Sequence, residues 1–394
     1  MGSLTFGLVA GFVVTALPFL LSRAGISVDR IAGVSAVAMS PTFWAFLLTP
    51  VVDVGVTRRN WAFGLTVVSA VSLAAALWFF SAEKLGLFTA LVLIAELAIV
   101  VQANAEGGWV AEFVPDAQRG KVGGWTNAAN LGGGAFGAML LMSAARTLPT
   151  HSLAILTLGT VLLSATVLFW FPKPAEPVFK LRQVFGGTFR SVARTCKQSQ
   201  VLIGFLLFLT PAGAVAAINL FSGLGNDFHA AAGRVVWVTG AGVAISSSVG
   251  ALLGGYLADR VSRGVLYLGG GILAGLTSLT MALIPHTEFT FTSGVLFYNA
   301  VAGLIYAAFT ALSLQLTGNR NPTAATQLAL FAASTNGAIV YMTWLDGQGY
   351  RLYGVRGLFL VDGLAAMITG LALMVFVLRK GRASRPDSNA PLPA

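Results

Sequence analysis

The sequence predicts an all-α membrane protein with twelve transmembrane helices arranged as two six-helix bundles. Three observations predict it. The chain is too poor in charge to cover a soluble surface, it holds twelve apolar stretches of membrane-crossing length, and a short charged pattern recurs at the same place in each half.

Composition carries the first. Of 394 residues, 56% are hydrophobic and 10% are charged, and the mean hydropathy is +0.81. Soluble domains carry about 25% charged residues, so lipid is the expected solvent for most of this chain. A net charge of +10 would suggest nucleic-acid binding in a soluble protein. Here the basic residues follow the membrane, and no nucleic-acid partner is expected. Cys196 is the single cysteine, and His151, His229 and His286 stand far apart. No disulfide, metal site or cofactor is expected from that set. The first arginine is Arg23, so the first apolar segment lacks the basic lead of a cleaved signal and is expected to stay as a span.

Crossing a core of about 30 Å takes about 20 mostly apolar residues. Spans are predicted near 4–22, 31–50, 61–80, 86–106, 121–144 and 152–171, then near 201–222, 234–257, 264–284, 289–315, 323–345 and 356–378. Each must be helical, because backbone polar groups in lipid have to bond within their own segment. The alternating ten-residue segments of a β-barrel are missing. Glycine, at 46 residues, suits close helix contact. Gly132, Gly133 and Gly134 in the fifth span, and Gly250, Gly254 and Gly255 in the eighth, are predicted packing points. The chain divides into a first half at 1–171, a linker at 172–200, a second half at 201–380 and a disordered tail at 381–394. In the linker, apolar residues alternate with basic ones from Phe179 to Lys197, which reads as a helix on the membrane surface or a flexible connection.

Lysine and arginine set the orientation. With a cytoplasmic N-terminus, the cytoplasmic loops, linker and tail hold most of them. The outer side keeps Arg23, Arg30, Lys84, Arg146, Arg234, Arg351 and Arg356. Both termini are therefore expected in the cytoplasm.

The recurring pattern lies after the second and eighth spans. The first copy runs from Pro50 through Asp53 to Arg58 and Arg59; the second runs from Gly254 and Gly255 through Asp259 and Arg260 to Arg263. An acid at a helix end is followed by arginine, in register in both halves. Such a set can act as a latch, with the acid held by arginines and by the N-terminus of a neighbouring helix. Its contacts would form when the cytoplasmic side is shut and break when it opens. Two parallel six-helix repeats are the architecture of the major facilitator superfamily, and Gly255-x-x-x-Asp259-Arg260-x-x-Arg263 resembles the loop motif of that superfamily. The first copy lacks the leading glycine and the Asp-Arg pair.

Four further stretches resemble one branch, the AmpG-type muropeptide permeases with the related acetyl-CoA transporters and siderophore permeases. They are Leu17-Pro18 through Arg23 and Gly25, Val114-Pro115 through Arg119-Gly120, Asn321-Pro322 through Thr326-Gln327, and Arg356 through Asp362. The resemblance covers most of the chain in order and spacing. The first span departs from it, reading Val-Thr-Ala-Leu-Pro where Gln-Gly-Leu-Pro is the usual form, and the chain lacks extra C-terminal spans. The resemblance implies a central cavity lined mainly by spans one, four, seven and ten.

Polar residues inside a membrane are costly and usually face the interior. Span four is the richest, with Glu96, Gln102, Asn104 and Glu106. Gln102 and Glu106 share a face, and Glu96 lies about 80° from Glu106. Carboxylates at low dielectric can exchange protons near neutrality, so Glu96 and Glu106 are the candidate proton carriers, with structural ion pairing as the alternative. Gln102, Asn127, Asn130, Asn299, Tyr306, Thr310, Gln327 and Tyr341 are candidate substrate contacts, with interhelical bonding as the alternative for each. Arg23, at the outer end of span one, either attracts an anionic solute or snorkels to the interface.

These residues and the resemblance together predict a secondary transporter and not an enzyme, since no nucleophile–base pair or phosphate loop is present. The expected activity is proton-coupled import of an amphiphilic solute, a muropeptide, across a bacterial inner membrane. The alternatives are a siderophore importer and a drug/proton antiporter. The expected partners are a small-molecule substrate, protons and lipid, and the expected state is a monomer.

Overall fold

The computed structural model describes residues 3–53, 55–173, 198–319 and 321–383. Most of the predicted linker, including its surface helix, and the end of the predicted tail lie outside them.

Helix follows helix through the described residues. In the first half these are α1 (Ser3–Arg23), α2 (Val28–Met39), α3 (Arg58–Trp78), α4 (Leu85–Phe113), α5 (Arg119–Ala144) and α6 (Thr150–Ala165). In the second they are α7 (Ser199–Phe208), α8 (Ala232–Ala258), α9 (Arg263–Leu283) and α10 (Glu288–Thr317). Ala324–Ala383 then holds two helices, α11 over 324–352 and α12 over 355–383, broken at Tyr353 and Gly354. Local sequence explains several starts. The Thr57 hydroxyl accepts from the Asn60 amide at the head of α3, and Thr287 with Thr290 forms a reciprocal cap for α10.

Eight stretches among the described residues are long and apolar enough to cross a membrane. One of them, Ala324–Phe376, has 53 residues, enough for two crossings. The predicted second and seventh spans fall on shorter apolar helices, Gly33–Leu47 and Ser199–Phe208. The predicted fifth falls on the glycine-rich α5.

Two predicted spans are interrupted. Span two continues from α2 through Pro41–Trp44 into tighter turns at Ala45–Leu47 and Thr49–Asp53. Span seven, expected unbroken over 201–222, stops at Phe208 and proceeds as single turns from Pro211 to Phe228. Pro211 lacks an amide hydrogen and forces the preceding residue out of helix; Thr210 is extended, at φ −77° and ψ 157°. Val215, at φ 43°, occupies the left-handed region that a β-branched residue rarely enters.

Packing is strongest within each half. α1 lies on α5, and α3 on α4 and α6; α8 lies on α10, and α9 on α10 and α12. Between halves, α5 meets α8 and α10, and α11 meets α4 and the turns after α2. The outside is apolar: Ile155, Leu163, Ile245 and Ile368 are each more than 60% exposed. Gln102 and Asp346 are fully buried. That inverts the soluble pattern and suits a lipid solvent.

The α11–α12 turn depends on Gly354, at φ +63°. With ψ at −155° this residue lies in a region essentially reserved for glycine, where a Cβ costs about 1–3 kcal/mol. Gly354→Ala is expected to lower the thermal unfolding temperature in detergent micelles. Gly347→Ala, with open space for its Cβ in mid-helix, should hold or raise it.

Candidate functional site

The recurring motif closes one end of the molecule. Asp53 ends the turns after α2 and reaches the start of α11 in the other half. Its Oδ2 accepts from the Thr326 amide at 3.1 Å and the Thr326 hydroxyl at 2.8 Å, and its Oδ1 from the Ala325 amide at 3.3 Å. These are the second and third residues of α11, where helical amides have no partner of their own.

Asp259, at the end of α8, does the same for α5. Its Oδ1 accepts from the Gly120 amide at 2.6 Å and its Oδ2 from the Lys121 amide at 2.7 Å. Gly120 and Lys121 are again the second and third residues of their helix. Each aspartate thus serves as a side-chain cap, supplied from the opposite bundle, and its charge meets the positive end of a helix dipole.

One arginine per copy completes the arrangement. Arg58 donates to Asp53 Oδ1 from Nη2 at 2.8 Å and from Nε at 3.2 Å. It also bonds Gly108 and Glu112 of α4, and reaches the carbonyls of Asn321 and Pro322 across the interface. Arg263 bonds Gln315 of α10 at 3.0 Å and Asp116, just before α5, at 2.9 Å. The two arginines therefore correspond: each ties the neighbouring fourth-type helix of its own half to the loop preceding the capped helix of the other. The Arg263 guanidinium bonded to Asp116, with Arg119 nearby, holds the Asp116 carboxyl below the ordinary carboxylate range. Arg119 adds a bond to Asn319 across the interface.

The other two predicted latch arginines take no part in these bonds. Arg59 lies over the rings of Phe63 and Phe169, its Cζ 6.0 and 5.6 Å from their centroids. Arg260 stacks on Tyr256 and donates to that residue's own carbonyl. Backbones also come close here. A Cβ added at Gly255 would stand 2.6 Å from the Gly120 carbonyl oxygen, so only glycine admits this approach.

Deeper in the bundle, the predicted polar residues separate into groups. Asn127 of α5 donates to the Tyr306 carbonyl at 3.1 Å and to the Thr310 hydroxyl at 2.9 Å, which joins three candidate substrate residues between the halves. Gln102 donates to Glu106 at 3.1 Å, and both are buried. Glu96 is 2% exposed, and its Oε2 has no hydrogen-bond partner among the described residues. Asn104 reaches Thr49.

Other predicted contacts are used locally. Asn299 bonds its own helix at Val295. Tyr341 donates to the Leu209 carbonyl at 2.7 Å, serving the broken end of α7. Gln327 bonds Gln198, and the backbone of Asn130 packs on Gly7. Arg23 donates to the Ala145 carbonyl at the far end of α5. Sequence alone assigned no role to Asp116, Asn321 or Thr326, and expected Glu112 only as part of a salt-bridge network with Glu106; Glu112 pairs with Arg58. Asp116 and Asn321 each sit just before a span that starts beside the motif, and that repeated position was the signal for them.

The family model for the Major Facilitator Superfamily matches residues 1–326 and 203–394. No curated protein matches the chain significantly. Among solved structures, the chain is similar to the E. coli fucose:proton symporter FucP, with a TM-score of 0.70, 14% identity, and coverage of 95% of this chain and 97% of that one. It is similar to the proton:xylose symporter XylE, at 0.69 and 14%, covering 95% and 94%. The human organic anion transporter MFSD10 gives 0.67 and 15%, covering 94% and 97%.

The latch geometry has measurable consequences. Asp259→Ala removes a helix cap worth about 1 kcal/mol, so the open population at this end should rise about fivefold; Asp53→Ala also breaks the buried pair with Arg58 and should raise it further. Spin labels on the latch ends of α5 and α8, and of α2 and α11, report it as longer distances. Arg58→Ala leaves buried Asp53 uncompensated and should cost more, about 3–5 kcal/mol. Asp116 favours its charged form when bonded, so its contribution is complete above the ordinary carboxylate value and fades only as pH falls through the lowered one. The α5–α8 label distance should therefore stay short through mild acid in the natural protein and lengthen at neutral pH in Asp116→Asn.

Proposed function

The chain belongs to the major facilitator superfamily, and from there we propose that it is a proton-coupled importer of an amphiphilic solute, a muropeptide, across a bacterial inner membrane. That it is a transporter and not an enzyme follows from the family and its solved neighbours. Proton coupling and solute are our reading.

The observation that carries it is Glu96, a carboxylate buried in α4 with an unpartnered oxygen. A charge at that depth is expensive without a partner, and a proton removes it. Glu106, one face away and bonded to Gln102, is placed to pass that proton toward the latch end. Asn127, Tyr306 and Thr310 supply amide and hydroxyl groups between the halves for a sugar–peptide solute. Two of the similar structures are sugar symporters driven by protons, and a muropeptide carries sugar rings. Alternating access then uses the latch: closed as seen here, opened when Asp53 and Asp259 release α11 and α5. The latch end is the cytoplasmic one in this reading, with both chain termini on that side and the protein acting as a monomer.

Proteoliposomes with an acid exterior should accumulate labelled muropeptide. Glu96→Gln should lose gradient-driven accumulation while retaining solute exchange across the membrane at zero gradient. Accumulation indifferent to the pH gradient would remove proton coupling. Uptake of a ferric siderophore instead, or extrusion of a cationic drug, would replace the muropeptide by one of the two alternatives.

A further inference from the structure

Two acids in the second half have no part in the scheme above. Asp346 of α11 and Asp362 of α12 are 0% and 3% exposed. The hairpin at Tyr353 and Gly354 brings them level. Asp346 lies seven residues before the break and Asp362 eight after it, or about 10–12 Å down each helix. Close backbone contact of Gly349 with Gly357 holds the two helices together above them.

Their surroundings differ sharply. Asp362 accepts from the Ser278 hydroxyl of α9, from the Tyr298 hydroxyl of α10 at 3.2 and 3.0 Å, and from the Ala217 amide in the turns after α7. Asp346 has no hydrogen-bond partner on either oxygen among the described residues. It lies within electrostatic reach of both Asp362 and Tyr298. Buried Phe221, Phe359, Met342 and Tyr298 keep the region apolar.

Other charged groups are remote from the pair. α9 contributes only the Ser278 hydroxyl, and α10 the phenols of Tyr298 and, further along, Tyr306. Asp227, in the turns after α7, is bonded to Tyr350 at the exposed end. Arg351 and Arg356 are exposed beside the break. No lysine, arginine or histidine forms an ion pair with either aspartate among the described residues.

Two carboxylates at one dry site cannot both stay charged without a cation between them. The donors are divided unequally: three point at Asp362 and none at Asp346. A carboxyl proton on Asp346 removes one of the two charges and leaves Asp362, which has the three donors, as the carboxylate. We infer that Asp346 and Asp362 form a proton-binding site in the second half, with the proton on Asp346 and shared toward Asp362, separate from Glu96 and Glu106.

Uptake moves one proton from water to Asp346 and changes the site from two charges to one. Its loss leaves two carboxylates facing each other, so Asp346 is driven off Asp362. Asp362 bonds the turn that replaces the outer part of α7, so the ionisation of Asp346 acts on that segment. The coupling role rests on the transporter reading above; proton binding does not, and its test needs no transported solute.

The test is infrared absorption of the purified protein in lipid bilayers at neutral pH. The carboxyl C=O band of protonated acids should be present, should lose one component in Asp346→Asn, and should keep that component at a shifted frequency in Asp362→Asn, whose neighbouring charge has gone. The double variant Glu96→Gln/Glu106→Gln should retain the Asp346 component. A band identical in the natural protein and Asp346→Asn overturns the proposal. So does its disappearance from the natural protein on adding sodium chloride in place of choline chloride, which would make the site one for a metal cation. The sodium comparison uses the natural chain alone, so it decides even where a variant fails to fold.

Discussion

The first amides of α5 and α11 have no acceptors within their own helices, and each finds one on an aspartate of the opposite bundle. Asp259 serves Gly120 and Lys121; Asp53 serves Ala325 and Thr326. A helix end inside protein cannot leave these donors bare at small cost. The closed state of this end is therefore set by four backbone amides and two carboxylates. The glycine contact at Gly120 and Gly255, the Arg58 bonds and the Arg263 bonds all assemble around them. In the opening we propose, water takes over the same donors. An interface of plain apolar packing would not offer that exchange.

The same accounting separates structural polar residues from those available for chemistry. Tyr341 is committed to the carbonyl left free where Pro211 breaks α7, Asn299 to its own helix, and Arg23 to the end of α5. Asn127 joins α5 to α10 at the boundary between the halves. Buried atoms without partners among the described residues include an oxygen each on Glu96 and Gln102, the Ser313 hydroxyl, and both oxygens of Asp346. In hydrocarbon surroundings such atoms carry a free-energy cost, and a transported proton or solute that binds there relieves it.

The irregular backbone lies where this economy needs it. Span two turns into tighter helix ahead of Asp53, and span seven unwinds after Phe208 into turns that present the Ala217 amide to Asp362. Non-helical backbone at membrane depth is tolerated only when covered by protein, and here α4 and α11 cover the first and α9, α11 and α12 the second. The sequence marks both interruptions with proline, at Pro41 and Pro211. Hydropathy passes over them, because apolar content continues across the break.

The sequence by itself determined the solvent, the succession of helices and the register of the two motif copies. Hydropathy, span length and charge are sums along the chain, and Asp53 with Arg58 and Asp259 with Arg263 stand in equivalent places without reference to the fold. The tertiary structure decided which polar groups meet: that Arg58 and Arg263 bond across the interface while Arg59 and Arg260 turn to aromatic rings, and that Ser278 and Tyr298 bond Asp362 while Asp346 is buried without a partner among the described residues. Neighbouring arginines on one loop are equivalent in sequence, and what distinguishes them is the distance to acceptors contributed by residues from 50 to 264 positions away.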